Sequence, residues 1–262
     1  MSYKHKKRFG QHFLNDNEIL ENIISYADLR ENDTVWEIGP GMGALTDKLI
    51  QNNIRLNLFE IDNDLIPILK TKYSNKCNII HQDILRINWQ QELENKKVKI
   101  VSNLPYQISS PFLYKISENY NSFETVVIML QKEVAKRICS TSGKKDYGVL
   151  SLKIQFFFNT EYLFEVPPEK FTPPPEVNSS VIKLTPRKDI KFSYNTKFFW
   201  QLVENSFRNR RKTLRNNLKI YALPKEILNS DTCPIDLNRR GETLSEEEFI
   251  TLHNFICKFT SC

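Results

Sequence analysis

From about residue 34 onward, short apolar runs rich in Val and Ile alternate with amphipathic stretches. One amphipathic stretch ends near Ile50, and a helical pattern passes through Leu65, Leu69 and Tyr73. The apolar runs predict β-strands at TVWEI (34–38), LNLFEI (56–61), CNIIHQDI (77–84), VKIVSNL (98–104) and TVVIML (125–130). Strands separated by helical segments indicate βαβ units, so we expect an α/β fold with a parallel sheet covered by helices on both faces.

The pattern changes in the last third of the chain. LSLKIQFFF (150–158) and NSSVIKL (178–184) predict two late strands. The segment between them contains five prolines, which exclude a central strand or a helix interior and favour an ordered loop. After residue 187 the pattern becomes helical, with Ser245 as a candidate N-cap. We therefore predict a catalytic α/β domain over 1–187 and a small all-helical domain over 188–262.

Composition excludes several classes of protein. The 262 residues are 40% hydrophobic and 26% charged, as in an ordinary folded domain. No apolar run approaches the roughly 18 residues of a membrane helix, and no apolar stretch follows the basic start to make a secretory signal. We expect a cytoplasmic protein without a membrane partner. The cysteines and histidines show no metal-ligand spacing, so no metal site is predicted.

The net charge of +6 is concentrated in two short blocks that contain no acid. The first is residues 1–8, an N-terminal arm with four cations, and the second is residues 205–219, with six. Without these ten charges the chain has 27 basic and 31 acidic residues, a net of −4. Localised basicity of this kind predicts docking on a polyanion, whereas a solvated helix face is the alternative.

Three of the seven glycines lie in one turn, EIGPGMG, as Gly39, Gly41 and Gly43. Glycines between a strand and a helix allow the backbone to approach a ligand, because no Cβ intervenes. Glu60 ends the next predicted strand, where a carboxylate can bind ribose hydroxyls, and Asp83 ends the third, where it can accept from an adenine amine. The pattern favours a nucleoside-containing ligand; a tight turn beside two exposed acids is the alternative.

The fourth predicted strand ends in Asn103-Leu104-Pro105-Tyr106. An adenine N6 amine is a poor nucleophile, because its lone pair is delocalised into the ring. Two acceptors, the Asn103 side-chain oxygen and the Leu104 carbonyl, would favour a pyramidal nitrogen and so free the lone pair. Pro105 would fix that carbonyl, and Tyr106 would offer a face on which the base stacks. An isolated Asn-x-Pro turn is the simpler interpretation.

Taken in order, these motifs resemble the S-adenosylmethionine-dependent rRNA adenine N6-dimethyltransferases. The matching segments are QHFL (11–14), EIGPGMG (37–43), FEID (59–62), QDIL (82–85) and NLPY (103–106). PPEKFTPPPEVNSSVIKLTPR (167–187) and SFRNRRKTLRNNL (206–218) are similar to the KsgA (RsmA) small-subunit branch. The resemblance implies a Rossmann-like methyltransferase sheet with a small C-terminal helical domain.

The resemblance also implies roles for individual residues. S-adenosylmethionine would be held by His12, Leu14, Gly39, Gly41, Glu60, Asp83 and Asn103. Asn103, Leu104 and Tyr106 would serve the transfer. Many relatives have Asn where this chain has His12, so that residue could instead be packed in an ordered N-terminal arm. The transfer would be a direct displacement that needs neither a metal nor a covalent enzyme intermediate.

The implied substrate is a pair of adjacent adenines in the 3′-terminal hairpin loop of 16S rRNA, within a 30S precursor, with the enzyme acting as a monomer. Four cations, Arg208, Arg211, Lys212 and Arg215, would share one helix face at i, i+3, i+4 and i+7 and contact RNA. Three alternatives stay open: a 23S rRNA methyltransferase of the macrolide-resistance type, an N6-adenine DNA methyltransferase, and a non-catalytic nucleic-acid-binding factor. The aromatic groups 156–158 and 198–200 are predicted to be core.

Overall fold

The computed structural model describes residues 11–190, 196–221 and 233–259. In these ranges the strands are β1 Phe13–Leu14, β2 Thr34–Ile38, β3 Arg55–Glu60, β4 Asn78–His81, β5 Val98–Asn103, β6 Phe123–Gln131, β7 Phe158–Val166, β8 Phe171–Thr172 and β9 Ser179–Pro186. The helices are α1 Asn17–Ser25, α2 Ala44–Leu49, α3 Leu65–Tyr73, α4 Trp89–Leu93, α5 Ser109–Glu118, α6 Lys132–Ile138, α7 Val149–Phe157, α8 Thr196–Phe207, α9 Leu214–Asn217 and α10 Glu246–Ile256. The basic N-terminal arm, residues 1–8, lies outside the described residues.

Seven strands form one mixed sheet in the order β4-β3-β2-β5-β6-β9-β7. The first five strands are parallel to one another. At the edge of the sheet, β9 pairs antiparallel with β6, and β7 pairs antiparallel with β9. The five runs predicted to be strands are β2 to β6, so the predicted parallel α/β sheet is confirmed. Parallel strands place their carboxyl ends at one edge of a sheet, which is where ligands of open α/β folds bind.

Helices cover both faces of this sheet. Successive side chains of a strand point to opposite faces, and in β2 the side chains on both faces are buried, so each face needs a covering layer. Val35 of β2 belongs to an aliphatic core with residues of α1, α2 and α3, such as Ile23 and Leu49. Its neighbour Trp36 packs against Trp89 of α4, with ring centroids 5.9 Å apart. Trp89 in turn contacts Phe112 of α5. The alternation in β2 therefore separates an aliphatic layer from an aromatic one.

A second, two-stranded sheet fastens the N-terminal segment to the proline-rich segment. β1 pairs antiparallel with β8, Phe13 opposite Thr172 and Leu14 opposite Phe171. The pairing is extended by the Asn15 N–H, which donates to the Lys170 carbonyl at 3.0 Å. Asp16 accepts from the Lys170 ammonium, which lowers the pKa of Asp16, and it also caps α1 through the Ile19 N–H. Residues 11–16 are thus held in a defined position.

The prediction of a strand over 150–158 is wrong for most of its length. Residues 149–157 form helix α7, and β7 begins only at Phe158. Apolar residues alternate over 150–156, as in a strand, and then continue without a break to 158. So short a run with so many apolar residues does not distinguish a strand from a buried helix. Ser151 is itself buried; it accepts from the Gly148 N–H at 3.0 Å, half of a capping box.

Contacts between Cα atoms divide the chain into two units. The first holds residues 1–136 and 157–188, and the second holds 137–156 and 189–262. Residues 137–156 were predicted to belong to the catalytic domain, whereas in the structure α7 packs with the second unit. There Phe156 contacts Phe199 and Trp200, with centroids 5.6 and 5.4 Å away. Phe156, Phe158 and Phe199 are buried, which confirms their prediction as core.

The predicted continuous helix through the cations of residues 208–215 is also wrong. α8 ends at Phe207 and α9 begins at Leu214, so residues 208–212, here called the basic turn, are not helical. The buried Asn217 amide donates to the Ser206 and Asn209 carbonyls at 2.9 and 3.2 Å. This side chain satisfies carbonyls at the end of α8, where intrahelical partners are missing. The cations therefore cannot share one helix face.

Candidate functional site

The turn after β2 adopts backbone conformations that favour glycine. Gly39, Gly41 and Gly43 have φ values of +66°, +59° and +88°. A Cβ on Gly39 would lie 2.9 Å from Pro105 Cγ, and one on Gly41 would lie 2.6 Å from Phe13 Cε1. The Gly39 N–H donates to the Phe59 carbonyl at 2.8 Å. The glycine turn therefore approaches β3, the turn after β5 and the N-terminal segment closely.

Glu60, at the end of β3, faces the glycine turn. Its Oε1 accepts from the Ile61 and Asp62 N–H groups, both at 2.8 Å, and its Oε2 accepts from the Gly41 N–H at 3.4 Å. Burial raises the pKa of Glu60, while these three backbone donors oppose the rise. The carboxyl is consequently fixed in orientation, and Oε2, which accepts one bond where Oε1 accepts two, retains acceptor capacity for a ligand hydroxyl.

Glu37 is a second buried carboxyl at the same edge. It lies at position four of β2, and its Oε2 accepts from the Thr46 hydroxyl at 2.7 Å. Burial raises the pKa of Glu37 to about 8, with a further contribution from the nearby Glu60. Glu37 is therefore largely protonated near neutral pH, so this wall of the cavity carries less negative charge than two ionised carboxylates would give it.

Asn103 and Tyr106 lie on either side of the turn that follows β5. The Asn103 amide donates to the His12 carbonyl at 3.4 Å, which leaves Oδ1 as the acceptor of that side chain. The Leu104 N–H donates to the Met129 carbonyl, and Pro105 has φ −56° and ψ 126°. Tyr106 shares a hydrogen bond of 2.5 Å with the Ser179 hydroxyl, and burial raises the pKa of its phenol.

The N-terminal segment closes one side of the site. The Gln11 amide donates to Asp62 at 2.9 Å, and His12 Nδ1 donates to the Pro173 carbonyl at 2.8 Å. The His12 ring stacks near Tyr106, with centroids 5.7 Å apart and an interplanar angle of 26°. His12 thus packs in the ordered segment as well as facing the site.

These elements enclose a cavity of about 290 Å³ in the first unit. Asp83 also lines it. The Asp83 carboxylate accepts from the Leu85 N–H at 2.9 Å and lies 3.4 Å from Arg86 Nε, and these contacts orient it. Nine residues named by the sequence analysis line the cavity: His12, Leu14, Gly39, Gly41, Glu60, Asp83, Asn103, Leu104 and Tyr106. The structure therefore brings all the predicted cofactor and transfer residues together.

The predicted RNA-binding residues lie in the second unit. Arg208, Arg211 and Lys212 are exposed on the basic turn, whereas Arg215 is half-buried in α9. Arg215 is held there by its backbone, whose N–H donates to the Leu237 carbonyl at 2.9 Å. Three of the four cations are thus accessible to a polyanion.

Four further residues shape the site, although no role was predicted for them from the sequence: Gln11, Phe13, Glu37 and Ser179. Gln11, Phe13 and Glu37 belong to motifs that were recognised, so adjacency to assigned residues was the available signal. Ser179 reaches Tyr106 across 73 positions of sequence, and no local pattern carries that contact. Among the described residues, no helix is long and apolar enough to cross a membrane, and no cluster of His, Cys, Asp and Glu is arranged to hold a metal ion.

Comparison with known proteins bears directly on this site. The profile of the family described as ribosomal RNA adenine dimethylase matches residues 2–258, nearly the whole chain. The chain belongs to this dimethylase family. The resemblance inferred from the ordered motifs is thereby confirmed, together with the Rossmann-like methyltransferase fold and the use of S-adenosylmethionine that it implied.

Individual relatives of this dimethylase agree with the family assignment. Proteins named ribosomal RNA small subunit methyltransferase A are 42% identical in Clostridium botulinum strain Okra and 39% identical in Francisella tularensis subsp. novicida. Each alignment covers 97% of this chain, and 94% and 98% of the respective relative. A dimethyladenosine transferase from Plasmodium falciparum superposes with a TM-score of 0.79 at 26% identity, over 94% of this chain and 98% of that one. The 23S rRNA methyltransferase ErmE, at 23% identity and a TM-score of 0.71, shares the fold; the match covers 92% of this chain and 98% of that one.

The buried Glu37 predicts a pH-dependent stability for this dimethylase. Its pKa in the folded state, about 8, lies above the ordinary value of 4.5, so the folded state binds more protons between these values. The free energy of unfolding should therefore fall as pH rises from about 5 to about 8. Glu37→Gln keeps an acceptor for Thr46 and removes the titration. Denaturant unfolding should show the variant more stable than wild type by about 2–4 kcal/mol at pH 8, with little difference at pH 4.5. Identical pH profiles would contradict a neutral Glu37.

Gly41→Ala should lower both the stability and the cofactor affinity of the dimethylase, by more than the strain of a positive φ alone would cause. The new Cβ would meet the Phe13 ring and force it out of the cavity wall. Gly143→Ala is the matched control, because Gly143 also has a positive φ, +82°, but an added Cβ would meet nothing within 4 Å. We expect the control to lose about 1–2 kcal/mol of stability and Gly41→Ala about 2–4 kcal/mol. Calorimetry should show weaker cofactor binding by about tenfold or more for Gly41→Ala alone.

Proposed function

We propose that this protein transfers methyl groups from S-adenosylmethionine to N6 of two adjacent adenines in the 3′-terminal hairpin loop of 16S rRNA. The observation that carries the proposal is the position of Asn103, Leu104 and Tyr106 in the same cavity as the glycine turn and Glu60. The relatives named small subunit methyltransferase A support the choice of rRNA. We further propose that the protein acts in the cytoplasm, as a monomer, on a 30S precursor particle.

The residues of the cavity fit the cofactor. Because Gly39 and Gly41 have no Cβ, Pro105 and Phe13 can pack directly against the glycine turn and complete the cavity wall. The cavity volume, about 290 Å³, is close to the lower end of small-molecule sites, about 300–1,000 Å³. Glu60 would accept from ribose hydroxyls, and Asp83 would accept from the adenine amine. Leu14 and His12 would form the side supplied by the N-terminal segment. When bound, the cofactor supplies a methyl group on a positively charged sulfur.

Asn103 and Leu104 would prepare the target nitrogen. The Asn103 Oδ1 and the Leu104 carbonyl oxygen can each accept one N6 hydrogen, which draws the amine out of conjugation with its ring. Because Asn103 is tied to the His12 carbonyl and Leu104 to Met129, the two acceptors are oriented before the adenine arrives. Preorganised acceptors of this kind require no rearrangement during transfer. The methylated nitrogen then loses one of its two hydrogens to solvent as a proton. The remaining N6 hydrogen can bond to one of the two acceptors, so the same site can act a second time.

Tyr106 would hold the plane of the extruded base. Its hydroxyl is bonded to Ser179 and its ring is flanked by His12, so the ring has little freedom to rotate. A flipped adenine is commonly recognised by stacking on an aromatic side chain. The raised pKa keeps the phenol neutral, and its proton remains available to the bond with Ser179.

Asn103→Ala should abolish transfer while leaving the cofactor bound. Removal of one acceptor of a preorganised pair typically lowers kcat by about 100-fold or more. Tritium-methyl incorporation into undermethylated 30S particles measures the transfer, and calorimetry with S-adenosylmethionine measures the binding. The matched control is Asn78→Ala, an exposed amide at the amino end of β4. Wild-type turnover by Asn103→Ala would contradict the acceptor role, and activity of the wild-type protein on 23S rRNA alone would contradict the proposed substrate.

Charge reversal on the basic turn should weaken RNA binding. In Arg208→Glu/Arg211→Glu two exposed cations are replaced, whereas the cavity of the first unit is untouched. We expect the affinity for a 3′-terminal 16S rRNA fragment to fall about tenfold or more, with a shallower dependence on salt. Cofactor affinity should not change. RNA binding equal to wild type would contradict this role and show that these cations only solvate the protein surface.

A further inference from the structure

A second exposed basic segment lies against the basic turn within the second unit. It is the turn at residues 143–147, here called the lysine turn, which precedes α7. The Arg210 guanidinium donates from Nη2 to the Lys145 carbonyl at 2.7 Å and to the Tyr147 carbonyl at 3.1 Å. One arginine side chain therefore joins two turns that are more than 60 residues apart in sequence.

The lysine turn is also held from its other end. The Gly143 N–H donates to the Glu242 carbonyl at 2.7 Å, and Gly143 itself has φ +82°. The Glu242 carboxylate lies 3.9 Å from Arg210 Nε, so Arg210 counters its charge as well as binding the turn. Tyr147 is buried and packs against Phe207 at the end of α8, with centroids 5.9 Å apart. The position of the lysine turn relative to the basic turn is consequently well defined.

The two turns present their remaining cations to solvent. Lys144 and Lys145 are exposed, as are Arg208, Arg211 and Lys212. Acids are also present. Asp146 lies in the lysine turn, and burial raises the pKa of the Tyr147 phenol with a smaller contribution from the nearby glutamates that begin α10. Of those glutamates, Glu248 is bonded to Arg239. The five exposed cations of the two turns therefore outnumber the other acids beside them, Asp146, Glu246 and Glu247.

Arg210 differs in role from its neighbours in the sequence. Its charge is directed to two backbone carbonyls and one carboxylate of the protein, whereas Arg208 and Arg211 are directed outward. We propose that the two turns form one surface that docks the RNA backbone, on which Lys144 and Lys145 contact phosphates and Arg210 positions the lysine turn. The inference rests on the proposed function, because it takes rRNA as the substrate. Phosphate contacts by lysines add affinity without reading sequence.

The direct test is the double variant Lys144→Ala/Lys145→Ala, assayed by fluorescence anisotropy with a 3′-terminal 16S rRNA hairpin at several KCl concentrations. We expect binding three- to tenfold weaker at 0.15 M salt. The slope of log affinity against log salt should be reduced by about 1.4–1.8, since each lost phosphate contact accounts for about 0.7 on a single strand and about 0.9 on a duplex. The matched control is Lys96→Ala/Lys97→Ala, an equally exposed lysine pair just before the amino end of β5. This control should bind as wild type does.

Arg210→Gln tests the positioning role. If Arg210 acts through the lysine turn, its effect on affinity should largely vanish when Lys144 and Lys145 are already alanine. An arginine that contacted phosphate directly would instead give a further loss and a further reduction of the salt slope in that background. Additive effects would therefore overturn the positioning role. Thermal unfolding of each variant verifies that the second unit is folded.

The outcomes separate this inference from the proposed function. Wild-type affinity and salt slope for Lys144→Ala/Lys145→Ala, with weakened binding for Arg208→Glu/Arg211→Glu, would overturn the combined surface and leave the methyltransferase intact. Equal losses in the control pair Lys96/Lys97 would overturn it too, since they would show a dependence on total charge alone. Absence of both RNA binding and methyl transfer in the wild-type protein would contradict the proposed function itself.

Discussion

The parallel pairing of β2 with β3 on one side and β5 on the other determines where the site lies. Gly39, Glu60 and Asn103 each follow or end one of these strands, so the register of the pairing brings three distant segments to one edge. The hydrogen bond from the Gly39 N–H to the Phe59 carbonyl continues that register into the glycine turn. A shift of one residue in β2 would move Glu37 and Trp36 to the wrong faces and separate the three segments.

Sequence was sufficient wherever the local pattern and the tertiary structure agree. The parallel strands β2 to β5 are short runs with apolar residues that end in, or are closely followed by, Gly39, Glu60, Asp83 and Asn103, and both their positions and the cavity at their ends could be predicted. α7 could not, because its apolar alternation fits either state and the decision comes from packing with residues near 199. At the break between α8 and α9, the Ser206 carbonyl accepts from the Asn217 amide, a residue that lies beyond the break in sequence, so no local pattern in 205–212 shows this contact.

The charges of residues 208–215 show a related limit. The sequence predicted Arg208 and Arg211 on one helix face and left Arg210 out of that set, on a helical spacing that residues 208–212 do not have. In the structure Arg210 is directed to carbonyls of residues 145 and 147, and Arg215 is half-buried, whereas the others face solvent. The charge pattern indicates where the basic block lies. The carbonyls of residues 145 and 147 and the carboxylate of Glu242 show which of its cations is bound within the protein and which are exposed.

The pairing of β1 with β8 has a consequence for how the protein is made. Phe13 and Leu14 emerge from the ribosome early, whereas Phe171 and Thr172 follow more than 150 residues later. A nascent chain that has not yet extended past Pro173 has every parallel strand but no partner for its N-terminal segment, so one wall of the cavity is missing. Such long-range closure is slow relative to local folding. During translation, competence to hold a nucleoside would therefore arise in one late step, well after the sheet has begun to assemble.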